Sequence, residues 1–240
     1  MSHEGEYNRA ALNAGTFYIV ATPLGNYADL TLRARRVLRE CDGVICEERR
    51  AGSTLLAHFQ IEKPLYEWNE HSRAQEAGAF LEELQRGKHL ALISDHGTPL
   101  VQDPGAELVS AAIRANIRVE PIPGASAILA ALIASGIPAP RFRFIGRLPQ
   151  KKEARAATLR NLRETRETMI FVDAPYRLSP LLTSFSETFG ETRRAAVACN
   201  LTMADEHFVR GTLLEIQHYF VNNPFKSEFV VIVAGSGVIR

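Results

Sequence analysis

Cysteine is scarce: Cys41, Cys46 and Cys199 are the only three in 240 residues, and none belongs to a C-x-x-C pair. An odd, scattered set excludes a disulfide framework and suits a reducing cytoplasm. No H-x-x-x-H or clustered Cys/His supplies a metal site. A surplus of either charge is missing too, with 28 Lys and Arg against 27 Asp and Glu. No net field therefore advertises a nucleic acid or a membrane, and any basic site must be a local patch. No apolar run approaches the roughly 20 residues of a membrane helix. Met1 to Gly15 is polar and carries Glu4 and Glu6, unlike a signal or transit peptide. G-x-x-x-x-G-K-[ST], G-x-G-x-x-G and G-x-S-x-G are all absent. Their absence removes the P-loop, the dinucleotide fingerprint and the usual nucleophile elbow. What remains is globular, with 46% hydrophobic and 23% charged residues, in a chain long enough for two domains.

The first half alternates strands with helices. Thr16–Thr22, Gly43–Cys46, Pro64–Trp68, His89–Ser94 and Ile117–Ile122 are predicted strands. Between them, Thr31 caps a helix whose Ala34, Val37, Leu38 and Cys41 share a face. Further helices are expected over Arg49–His58, His71–Gln85 and Ala106–Ala115. This alternation predicts βαβ units and a parallel sheet. The second half opens with a small-residue helix, Ala125–Ser135, and continues with a strand at Phe142–Ile145 and a charged helix over Lys151–Arg166. Strands then bunch at Met169–Val172, Ala195–Leu201, His207–Gly211 and Phe229–Ala234, as a mixed sheet would have them. The expected architecture is α/β with two domains: an N-terminal parallel sheet with flanking helices over 15–120, and a C-terminal mixed-sheet α+β domain over 121–240.

Ligands of open parallel sheets bind at the carboxyl ends of the strands. Three Gly/Pro/Asp clusters fall there: Thr22-Pro23-Leu24-Gly25-Asn26, Ser94-Asp95-His96-Gly97-Thr98-Pro99 running on to Asp103-Pro104-Gly105, and Pro121-Ile122-Pro123-Gly124-Ala125-Ser126. Each alone could be a tight turn; three at successive strand ends point to a shared site.

The segments V-A-T-P-L-G-N, S-D-H-G-T-P-L-V-Q-D-P-G, P-I-P-G-A-S-A and F-V-D-A-P-Y-R resemble the marker segments of the tetrapyrrole methylase superfamily. Its branch of ribosomal RNA small-subunit methyltransferases, which act on a cytidine ribose 2′-oxygen, is the most similar, and a shorter divergent subgroup is an alternative. The resemblance implies a homodimer that binds S-adenosylmethionine (SAM) in the cleft between its two domains. It places Pro23, Gly25, Ser94, Asp95, Gly97, Thr98, Pro123, Gly124, Ser126 and Ala127 in the cofactor loops. Leu201 and Thr202, in the turn Asn200-Leu201-Thr202-Met203, would close that cleft. This chain departs from the branch where E-D-T-R becomes Glu47-Glu48-Arg49-Arg50, where His96 replaces alanine, and where E-S-P-H-R becomes Asp173-Ala174-Pro175-Tyr176-Arg177. Methylation of a small molecule, tetrapyrrole-like or otherwise, and SAM binding without turnover are the alternative functions.

Alkylating a hydroxyl calls for a proton acceptor near the oxygen. Glu48, Arg50, Glu70 and His96 are the catalytic candidates. For Glu48 and Arg50 the competing reading is a salt-bridged helix start, and for Glu70 a helix N-terminus. An RNA or small-subunit surface is expected on Arg147–Glu167, where Arg147, Lys151, Lys152, Arg155, Arg160, Arg163 and Arg166 face Glu153, Glu164 and Glu167. A second basic cluster is Arg33, Arg35, Arg36 and Arg39. Either could equally be a solvated face laced by i,i+4 ion pairs.

Overall fold

The computed structural model describes residues 14–68 and 73–237. The chain divides into two compact units, Met1–Ser126 and Ala127–Arg240.

In the first unit, β1 (Thr16–Val20), β2 (Gly43–Cys46), β3 (Leu65–Glu67), β4 (Leu90–Ile93) and β5 (Arg118–Ile122) form one sheet in the order β3-β2-β4-β1-β5. Every pairing is parallel, as the alternation predicts. Both faces are covered, so β2 and β4 are buried at every position. Side chains alternate between two cores: Ala91 and Ile93 pack with Val37, Leu38 and Leu55, while Leu90 and Leu92 pack with Phe17, Leu84 and Leu108. The first core is roofed by α1 (Leu32–Glu40) and α2 (Arg49–His58), the second by α3 (Arg73–Gln85) and α4 (Ala106–Arg114). Pro121 and Ile122 pair with Ile19 and Val20, so the first unit runs past the expected boundary at 120/121, which would cut β5.

The second unit holds α5 (Ala127–Ala134), β6 (Phe142–Gly146), α6 (Lys152–Leu162), β7 (Thr168–Val172), α7 (Leu178–Phe189), β8 (Arg194–Cys199), β9 (His207–Thr212), α8 (Leu213–Asn222) and β10 (Phe229–Val233). Its sheet order is β6-β7-β10-β8-β9, with β6 parallel to β7 and the other pairs antiparallel. That is the mixed sheet the bunched strands imply. Two predicted elements end early. The charged helix stops at Leu162 because the N–H groups of Arg163 and Thr165 turn back onto Arg160 and Leu162. The strand expected to reach Leu201 stops at Cys199, since Asn200 takes a φ of 48°, outside the extended range.

Candidate functional site

The three strand-end loops of the first unit are fastened to one another. Thr22, buried just after β1, donates its hydroxyl to the Ser94 carbonyl (3.0 Å), and its N–H goes to the Gly97 carbonyl (2.9 Å). Thr98 Oγ1 donates to the Ala125 carbonyl (2.9 Å), joining the β4 loop to the β5 loop. Ala21 N–H reaches the Ile122 carbonyl (3.1 Å). Within the β4 loop, Ser94 Oγ donates to Asp103 Oδ2 (2.6 Å) and accepts from the His96 N–H (3.2 Å). Gly97 has a φ of 78°, where a side chain would be strained. At Gly124 a Cβ would lie 3.0 Å from Ala21 Cβ, so glycine lets the β5 end approach the β1 end. Pro23, Gly25, Ser94, Asp95, Gly97, Thr98, Pro123, Gly124 and Ser126 all sit on this one edge. Gly25, His96, Thr98, Pro123 and Gly124 are exposed there, while Pro23, Ser94 and Gly97 are buried beneath.

The β2 end borders the same edge. Asp95 Oδ1 accepts the N–H of Glu48, the N-cap residue of α2 (3.3 Å), which ties the β4 loop to the start of that helix. Burial pushes the Asp95 carboxyl above the usual aspartate range, and the neighbouring Glu48 charge adds to this against the hydrogen bond. The charged helix start is bridged through Arg49, whose guanidinium sits 3.6 Å from Glu67 and reaches the Leu65 carbonyl (3.1 Å). Glu48 and Arg50 are exposed and form no ion pair among the described residues, so the salt-bridged reading of those two positions is replaced by the Arg49–Glu67 pair. Glu70 lies outside the described residues. Burial pushes the Cys46 thiol up to about 12, so no thiolate stands at the β2 end. A methyl sulfonium suits such an edge: main-chain carbonyls and carboxylates attract the cation, and among the described residues no thiolate stands there to take its methyl.

Ala127 and Leu201 belong to the second unit, half-buried against its α5-side core. There the Asn200–Met203 turn is wound tightly: Asn200 and Thr202 have φ of 48° and 67°. Asn200 Nδ2 donates to Asp205 (2.6 Å), Thr202 N–H donates to Glu206 (2.6 Å), and the buried Asn200 Oδ1 has no partner among the described residues. The D-A-P-Y-R segment is structural at two of its positions. Arg177 is buried, paired with Asp173 (2.9 Å) and donating to the Leu148 and Pro149 carbonyls. The expected RNA face on α6 also needs correction. Arg155 is buried, donating to Ser184 Oγ and the Gln150 carbonyl, so it holds α6 to α7 and faces no partner. Arg143 and Arg163 are paired with Glu167 and Glu164.

Sequence reasoning passed over Thr22, whose side chain ties the β1 loop to the β4 loop, and Asp103, which closes the β4 loop on Ser94. Their signal was a small hydroxyl ending a strand and an Asp nine residues after a Ser, both inside motifs read for their glycines and prolines.

The family model of the tetrapyrrole (corrin/porphyrin) methylases matches residues 16–217. The chain is 42% identical over 223 residues to the ribosomal RNA small subunit methyltransferase I of Halalkalibacterium halodurans, covering 93% of this chain and 77% of that protein. It is 45% identical over 224 residues to the protein of the same name from Xylella fastidiosa, covering 92% and 82%. Among solved structures, cobalt precorrin-4 methyltransferase superposes with a TM-score of 0.66 at 17% identity, covering 94% of this chain and 96% of that one. Uroporphyrin-III C-methyltransferase from Thermus thermophilus, complexed with S-adenyl homocysteine, gives 0.63 at 20% identity, covering 93% and 99%. At these identities the structures speak for the fold.

Proposed function

Because the chain belongs to the tetrapyrrole methylase family, we propose that it is a SAM-dependent methyltransferase acting on a ribose 2′-hydroxyl of small-subunit ribosomal RNA. The observation that carries this reading is identity above 40% over nine-tenths of the chain to proteins named ribosomal RNA small subunit methyltransferase I. Tetrapyrrole-methylating neighbours share the fold at 20% identity or less, which gives the small-molecule alternative less support.

The cofactor would lie on the stitched edge of the first unit, on the main chain around Gly25, Gly97 and Gly124. When bound, it supplies a sulfonium methyl: the S–CH3 bond breaks as an O–CH3 bond forms, and the hydroxyl proton passes to an acceptor. Loops fixed in place by Thr22 and Thr98 would hold the cofactor's position with dipoles that need not reorganise at the moment of transfer. His96 and Glu48, exposed beside the β4 and β2 ends, are the candidates to receive the proton. Asp95 orients the Glu48 backbone and, with its carboxyl raised, is a better proton acceptor than an ordinary aspartate. A homodimer in the cytoplasm is the state this reading implies.

The test is transfer of labelled methyl from SAM to small ribosomal subunits from a strain lacking the activity, with mapping of the modified nucleoside. Label in a 2′-O-methylated nucleoside is expected. Tight SAM binding by calorimetry with no label on the subunits would overturn the RNA assignment, and no binding would overturn the methyltransferase itself.

A further inference from the structure

We infer that the outer face of α1, with Arg33, Arg35, Arg36 and Arg39, is a docking surface for the phosphate backbone of RNA. The inference rests on the RNA substrate proposed above and says where on the first unit that substrate is gripped. Ala34, Val37 and Leu38 are buried against the sheet, which leaves all four arginines exposed. None of the four forms an ion pair among the described residues. The flanking acids Asp29 and Glu40 form no ion pair with them among the described residues.

Helix energetics do not account for this arrangement. Arg33 and Arg36, Arg36 and Arg39, and Arg35 and Arg39 are like charges three or four residues apart, which disfavours a helix. The first turn of α1 contains no acid, and Arg33 and Arg35 there oppose the helix dipole, whereas Arg39 in the last turn is favoured by it. An unneutralised face that opposes its own helix is suited to an external polyanion.

Aromatic groups lie beside it. The Arg35 guanidinium sits 5.8 Å from the centroid of the Phe59 ring, and Arg39 Nη2 donates to the Phe59 carbonyl (3.4 Å). Tyr27 stacks on exposed His58 at 3.8 Å and 17°. Guanidinium forks interleaved with stacked rings match phosphates and unstacked bases, and RNA offers both where an acidic protein offers only carboxylates.

The test compares full-length wild type, the Arg33→Gln/Arg36→Gln pair and the fourfold Arg→Gln variant. Filter binding would use protein-free small-subunit rRNA and small subunits between 50 and 200 mM salt. At about 0.7 per single-strand phosphate contact, the fourfold variant is expected to lose close to three from the log–log salt slope and to bind at least tenfold more weakly. Four lysines should restore the slope. Arg33 and Arg36 form no side-chain hydrogen bond, ion pair or ring contact among the described residues, so the pair should keep the wild-type melting temperature and SAM affinity while losing RNA affinity. Variants that keep the wild-type slope and affinity would overturn the inference. So would weakened binding to subunits with unchanged binding to protein-free rRNA, which would assign the face to a ribosomal protein. A wild type with no affinity for rRNA would fail the parent reading and this one together, before any variant is made.

Discussion

At Asp95, burial and a hydrogen bond act in opposite directions on one carboxyl, and burial wins. The folded chain therefore holds this proton more tightly than the unfolded chain does. The favourable contribution is complete below the ordinary value of 3.8 and is lost as pH rises through the raised value. Asp95→Asn keeps an oxygen for the Glu48 N–H and removes the ionisation. The variant should melt above wild type at neutral pH, with the gap narrowing as pH falls towards the ordinary aspartate range, while methyl transfer drops tenfold or more. A variant that melts lower at pH 7 would show that the carboxylate charge stabilises this loop. The strand-end loops were legible because glycine, proline and aspartate cluster where a strand gives way to a turn. What each side chain bonds to was not. Ser94 with Asp103, Thr22 with Gly97 and Arg155 with Ser184 are pairings across folded space, and a charged residue at a helical position gives no sign in sequence of being buried.

Elements were more readable than their ends. The period-3.6 pattern of α1 placed Ala34, Val37 and Leu38 in the core, and the apolar run of β4 is buried throughout, because burial periodicity is written directly in the residue order. Strand order was not readable: β4 lies between β2 and β1 through contacts that no local pattern encodes. Thr31 is a local signal that held, since its hydroxyl accepts the Ala34 N–H at 3.0 Å and caps α1. With Arg33 and Arg35 opposing the dipole at the same helix start, that cap offsets a local cost. Thr31→Ala should cost about 1 kcal/mol, read as a lower urea midpoint with an unchanged slope. An unchanged midpoint would mean that packing of Val37 and Leu38 alone sets the position of the helix.

Over the whole molecule the charges almost cancel, leaving +1 in 240 residues. A protein with so small a monopole has little long-range attraction for RNA, so its salt dependence should come from where its cations stand and not from how many there are. Location and count can be separated. Arg86, paired with Glu82 and Glu83, and Arg118, paired with Glu120, are exposed arginines away from α1. The double variant Arg86→Gln/Arg118→Gln changes net charge by the same two units as Arg33→Gln/Arg36→Gln. It should leave the salt slope for rRNA at the wild-type value, whereas the α1 pair lowers it by about 1.4 at 0.7 per contact. Equal loss from both pairs would mean that the overall field governs association. Loss from the α1 pair alone would tie RNA affinity to the place of Arg33 and Arg36 on one helix of an almost neutral molecule.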